Sequence, residues 1–248
     1  MSIEELRAAL DDELSLPTSA RMLEAFGGIE HCLSRFLEAR ASNVTEAAAM
    51  FQATACFRRE NGLDGGDALP QLSDDLKERM ESIWPGAYSG FSADNSPVMF
   101  FRFGSVDLRR AMDTATEEEI RQFYLHWMER GLALQKEGST RAAAVAGTTT
   151  ADSDGDGGDA TALSCRRGMI EVYDAGGLAV SSVYIPGIRL FARVLGLGQD
   201  HYPQNLRKCF IVNAPLGFQS CAAHPLNPRP YLPKRSRACL SWRPQRDG

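Results

Sequence analysis

Met169-Ile170-Glu171-Val172-Tyr173-Asp174, closed by Gly176-Gly177, and Cys209-Phe210-Ile211-Val212-Asn213, reached after Tyr202-Pro203, are the two stretches that decide the fold. Each is short, rich in aliphatic and aromatic residues and bounded by turn formers, so each reads as a strand. Between them Ile188, Phe191, Ala192 and Leu195 recur at helical spacing. Strand, helix and strand at this separation imply a parallel crossover, and a near-continuous apolar run marks a buried strand. The predicted class is α/β, a mixed or parallel sheet flanked by helices.

Working upstream, Pro97-Val98-Met99-Phe100-Phe101-Arg102-Phe103-Gly104 follows a turn at Asp94-Asn95 and reads as a further strand. Thr116 with Glu119 forms a capping box, and the helix it opens carries Ile120, Phe123, Tyr124, Trp127, Gly131 and Leu134 on one face. Residues 138–164 hold Ala, Gly, Thr and Asp with hardly any large apolar group, which predicts a flexible insertion. Nearer the N-terminus, Ser19 is placed to cap a short helix ending at Gly27-Gly28. Ile29, Cys32, Leu33, Phe36 and Leu37 then mark a second helix. Asn43 with Glu46 caps a third, through Ala47, Met50, Phe51 and Thr54 to Arg58-Arg59, and a polar helix lies near Leu72–Ile83. The expected organisation is a helical module over 1–84, an α/β domain over 85–218 with the insertion 138–164, and a tail over 219–248.

The tail stands apart by charge. Of 248 residues, 44% are hydrophobic and 24% charged, and the formal net charge is −5. Residues 219–248 hold six Lys/Arg against one acid and five of the twelve prolines, leaving 21 basic and 31 acidic groups in the first 218. An acidic body thus carries a basic, proline-rich end that reads as irregular. No run reaches the roughly 18 apolar residues of a membrane-spanning helix, and the N-terminus is too acidic for a secretory signal, so a cytoplasmic protein is expected. The six cysteines form no CxxC pair, which favours buried reduced thiols.

Few motifs carry chemistry. Asp152, Asp154, Asp156 and Gly157 open like a calcium loop, but Leu163 stands where a bidentate Glu is needed, so no metal is expected. His201 beside Asp200 reads as a surface pair rather than an acid–base pair, and no phosphate-binding glycine loop, dinucleotide fingerprint or HExxH is present. The sequence offers no catalytic residue and no cofactor, and an enzyme is not expected. Arg58-Arg59 has two readings: a fork for phosphate oxygens, or cations complementing the negative end of a helix.

Several segments in order resemble one family. Arg35 to Arg40, Asn43-Val44, Ala47-Ala48 and Phe57-Arg58-Arg59-Glu60-Asn61-Gly62 resemble the N-terminal helices of CRAL-TRIO proteins. Val98 through Gly104, Val172 through Leu178 and Gln199-Asp200-His201-Tyr202-Pro203-Gln204 through Asn213-Ala214-Pro215-Leu216-Gly217-Phe218 resemble that family's strands. The pattern is similar to yeast-type phosphatidylinositol/phosphatidylcholine transfer proteins. That resemblance implies a helical piece on an α/β lipid-binding domain whose sheet floors an apolar pocket closed by a mobile helix. It implies a phospholipid ligand, transient peripheral membrane contact and no nucleic acid; the oligomeric state is left open. By the same resemblance Arg58, Arg59 and Gln204 meet the headgroup, Gln204 standing where phosphoinositide-binding members carry Glu. Phe101, Phe103, Ile170, Val172, Phe191, Leu195 and Ile211 are the expected acyl-chain lining.

After Phe218 the family pattern continues into the gating helix, and here the Pro/Arg-rich tail follows instead. The expectation is a domain whose C-terminal gate region is missing, with the tail arising from an altered frame or alternative exon. Two alternatives to phospholipid transfer stay open: a protein-interaction module on the same fold, and a carrier of another hydrophobic ligand such as a tocopherol or retinoid.

Overall fold

Local side-chain chemistry sets the helix starts. In the computed structural model the described residues are 3–64, 71–149, 168–178 and 184–215. The N-terminal helices are α1 (Ile3–Ala9), α2 (Asp11–Leu14), α3 (Pro17–Ala25), α4 (Ile29–Ala39), α5 (Val44–Glu60) and α6 (Asp74–Ile83). Asn43 Oδ1 accepts from the Glu46 amide at 3.2 Å, and Ser73 caps α6 through the Leu76 amide at 3.2 Å, each satisfying one of the donors a helix start leaves open. Ser19 does not cap. Pro17, whose fixed φ suits a first helical position, opens α3 instead, and Ser19 is buried within its first turn.

The sheet contains β1 (Gly86–Phe91), β2 (Pro97–Phe101), β3 (Met169–Asp174) and β4 (Leu206–Val212) in that spatial order. β1 runs antiparallel to β2, and β2, β3 and β4 are parallel, which makes the α/β reading of the sequence correct. Between β2 and β3 lie a 3-10 turn (Phe103–Ser105), α7 (Leu108–Thr114) and α8 (Glu117–Thr149); α9 (Ile185–His201) connects β3 to β4. The Thr116–Glu119 box closes reciprocally, the Glu119 carboxylate accepting from the Thr116 amide at 2.8 Å and Thr116 Oγ1 accepting from the Glu119 amide at 3.2 Å.

Two expectations change. The strand at β2 stops at Phe101, and Gly104 lies in the 3-10 turn that follows, where a Cβ would run into the backbone carbonyl of Gly176 just after β3. The segment 138–149 is not an irregular insertion but the last part of α8. Alanines are the best helix formers; Arg141 pairs with Glu137 one turn back at 2.6 Å and covers the Phe91 ring at 4.4 Å. The rest of that insertion, the Asp152–Gly157 run and the tail 219–248 lie outside the described residues.

Strand alternation assigns each residue to a face. Register puts Met99, Glu171 and Cys209 in one cross-strand row and Phe101, Tyr173 and Ile211 in the next on the same face. Trp84 lies over Phe101 with ring centroids 5.2 Å apart and stacks on Phe191 of α9 at 4.9 Å, so the helices cover this face from the β1–β2 side. The same core reaches the N-terminal helices, where Phe26 meets Phe36 at 6.0 Å and Tyr202 at 6.4 Å.

Candidate functional site

Arg58 sits in the last turn of α5 but does not point to solvent; 2% of it is exposed. Its Nε donates to Asp64 at 2.9 Å, and Nη1 and Nη2 donate to the two Glu129 oxygens at 2.8 and 3.1 Å. Nη2 also reaches the Leu63 carbonyl at 3.3 Å. Burial alone would lower the guanidinium pKa. The Glu129 charge and hydrogen bonds, then Asp64, more than offset this and hold it above its ordinary value. Tyr202 completes the cluster by donating its hydroxyl to Glu129 Oε1 at 2.7 Å. Burial first and Glu129 second keep that phenol protonated.

A second polar chain runs beside it. Buried Arg35 donates Nη2 to Gln135 Oε1 at 2.7 Å, and Gln135 Nε2 donates to Asn205 Oδ1 at 2.6 Å. The Gly168 amide donates to the same Gln135 oxygen at 3.2 Å, so one α8 side chain holds the approaches to both β3 and β4. The Arg35 and Arg58 guanidinium carbons lie 5.6 and 5.8 Å from the Phe26 ring centre, against which both cations are favourable. The Arg58 guanidinium thus stands against the carboxylates of both Asp64 and Glu129, which offsets much of the cost of burying its charge.

This geometry corrects the headgroup expectation for Arg58. Its fork is already committed to two carboxylates, and a phosphate would have to displace them. Arg59, one residue on, is exposed. Gln204 is half-buried in the turn between α9 and β4 with φ +53°, the left-handed region, two residues from the Tyr202 anchor. His201 stacks on Phe57 with centroids 3.9 Å apart and faces Thr54 Oγ1 at 3.4 Å. Burial lowers its pKa, against a smaller opposing effect of Asp200; its ring serves packing. Among the described residues no group of His, Cys, Asp and Glu is arranged to hold a metal ion.

The seven expected lining residues do not share one surface. Phe101 and Ile211 lie in the same cross-strand row with Tyr173 between them, and Phe103 meets the Tyr173 ring at 6.5 Å. Phe191 is buried against Trp84, whereas Leu195, one turn on, is 43% exposed. Ile170 and Val172 alternate onto the opposite face with Val98, Phe100 and Phe210, and so cannot line a pocket with Phe101 and Ile211. Cover over the Phe101 face thins towards β4: Phe101 is 5% exposed and Ile211 39%. Glu171 also faces this side, accepting from the Tyr173 hydroxyl at 2.7 Å, and burial raises its pKa.

Glu129 and Gln135 were not among the expected site residues, although the sequence holds a sign of them. Leu125, Met128, Glu129, Leu132 and Gln135 all fall on one α8 stripe, and two polar residues inside an apolar stripe mark a buried partner. Asp64 carried no such sign.

Residues 84–223 match the family model described as the CRAL/TRIO domain. The "Sec14 cytosolic factor" of Schizosaccharomyces pombe is 27% identical over 188 residues, covering 76% of this chain and 58% of that protein. "Protein real-time" of Aedes aegypti is 26% identical over 188 residues, 75% of this chain and 25% of its own length. The Arabidopsis thaliana "Phosphatidylinositol/phosphatidylcholine transfer protein SFH13" is 23% identical over 226 residues, 88% of this chain and 32% of its own. The chain therefore spans less than two thirds of these relatives. The crystal structure of Sfh5 superposes with a TM-score of 0.53 at 16% identity, covering 83% of this chain and 58% of that one, which establishes a shared fold.

Proposed function

The chain belongs to the CRAL/TRIO domain family, and from that premise we propose that it binds a phospholipid and carries or presents it between membranes. The observation that carries the reading is the sheet face on which Phe101, Tyr173 and Ile211 form one row and lose cover towards β4. Exposed aliphatic and aromatic side chains on a sheet floor suit acyl chains, each buried CH2 contributing about 0.8 kcal/mol. Phe103, whose ring meets those of Phe101 and Tyr173, extends that surface; Ile170 and Val172 belong to the reverse face.

Arg59 and Gln204 take the headgroup in this reading, with Arg58 holding the wall behind them. Arg59 is an exposed cation at the end of α5, and Gln204 lies on the turn that Tyr202 and Glu129 tie to that helix. The relatives named for phosphatidylinositol and phosphatidylcholine transfer support a glycerophospholipid as cargo. No covalent step is involved.

Mass spectrometry of lipid co-purifying with the full chain, followed by transfer of labelled phosphatidylinositol and phosphatidylcholine between vesicles, tests the proposal. A bound glycerophospholipid and measurable exchange are expected. A bound tocopherol- or retinoid-like molecule would replace the cargo, and no lipid with no exchange would overturn the reading.

A further inference from the structure

Helix α9 has two apolar strips. Gly187, Leu190, Phe191 and Val194 are buried in the core. Ile185, Ile188 and Leu195, spaced i, i+3 and i+10, form another along the solvent side, 50%, 41% and 43% exposed. A helix with one strip in a core and large aliphatics on its open face presents a contact surface.

Its start is joined by α7. A Cβ at Gly187 would lie 2.8 Å from Leu108 Cβ, so the two helices touch there, and Met112, one turn on from Leu108, is 38% exposed. Three exposed cations flank these side chains: Arg109, Arg110 and Arg189. Arg109 covers the Tyr184 ring at 4.5 Å, and none of the three forms an ion pair among the described residues. Farther along, Arg193 is neutralised by Glu117 at 2.7 Å. Of the nearby acids, Asp107 spends its carboxylate capping α7 through the Arg109 and Arg110 amides, and Asp113 is exposed.

The position matters as much as the composition. β2 leads through Phe103 into α7 and β3 leads towards α9, so the patch stands at the carboxyl ends of the parallel strands, where open α/β sheets take their ligands. We propose that Ile185, Ile188 and Met112, with Arg109, Arg110 and Arg189, dock the protein on an anionic phospholipid bilayer, the aliphatics entering the interface and the guanidinium groups meeting lipid phosphates. Among the described residues no helix is long and apolar enough to cross a membrane. The proposal gains its purpose from the carrier reading above, since docking here brings the open sheet face to the donor membrane.

Flotation of the full chain with vesicles of phosphatidylcholine, with and without phosphatidylserine, tests it, alongside the lipid content of the same preparations. Arg110→Gln/Arg189→Gln should weaken binding to anionic vesicles by roughly fivefold per cation and flatten its salt dependence. Ile185→Ser/Ile188→Ser should weaken binding to both vesicle types. A charge-matched pair elsewhere, Arg7→Gln/Lys77→Gln, should bind like wild type. Wild-type binding by the arginine pair, or equal loss in the charge-matched pair, overturns the proposal. A variant that keeps its co-purified lipid but leaves the vesicles separates docking from cargo binding. Absence of cargo with patch-dependent vesicle binding would remove the carrier reading alone. Should the serine pair unfold, the arginine pair, both exposed, decides.

Discussion

Tyr202 and Arg58 donate to the same oxygen of Glu129, at 2.7 and 2.8 Å. The first comes from the turn after α9 and the second from the end of α5, so one carboxylate on α8 joins three segments that are far apart in the chain. An acceptor shared in this way is satisfied only when all three have reached their places.

Removing the hydroxyl isolates the contribution of that turn. Tyr202→Phe keeps the ring against Phe26 and deletes one bond to a charged acceptor, so it should lower stability by about 2 kcal/mol, read as a shift in the urea midpoint at unchanged slope.

The two neighbouring arginines should behave oppositely. Arg58→Met leaves Glu129 and Asp64 buried without their cation and should cost about 3–5 kcal/mol. Lysine at the same position should restore little, because a point charge cannot reproduce the fork. Arg59→Ala should alter stability by less than about 0.5 kcal/mol while reducing retained phosphoinositide relative to phosphatidylcholine. Urea titration with lipid mass spectrometry on both variants checks the split.

Glu171 gives a dependence on pH. Burial raises its folded pKa, so its favourable effect on folding is complete below the pKa of the unfolded carboxyl and is lost as pH rises through the folded value. Glu171→Gln should therefore be more stable than wild type at neutral pH, with the difference vanishing in acid. Melting temperatures of the two proteins between acid and neutral pH would expose an error in sign.

Gly104→Ala should destabilise through backbone contact. The added methyl would meet the Gly176 carbonyl oxygen, which no side-chain rotation can relieve, and overpacking of this kind costs about 1–3 kcal/mol. Calorimetry reads the loss. A neutral result would mean that the β2–β3 edge is free to spread.

What the sequence disclosed depended on range. Periodicity and caps are local, so α4, α5, the α8 start at Thr116–Glu119 and the β3–α9–β4 crossover are all legible. β1 escaped, because Gly86-Ala87-Tyr88-Ser89-Gly90-Phe91 holds two glycines and little β-branched character and is a strand only by pairing with β2. The seven lining residues divided between two faces because composition finds strands but only register says which way each side chain turns. Arg58 could not be assigned from sequence, since its partner Glu129 is 71 residues away.

The family match begins at residue 84, yet the Arg58–Glu129 pair, the Arg35–Gln135 bond and the Phe26–Tyr202 ring contact all straddle that point. The border that similarity draws is therefore not one along which the molecule can be divided. A recombination event that moved residues 84–223 alone would carry Glu129 into a new chain without its cation. The helices before residue 84 thus supply the counter-charge and part of the packing that the domain's own buried side chains require.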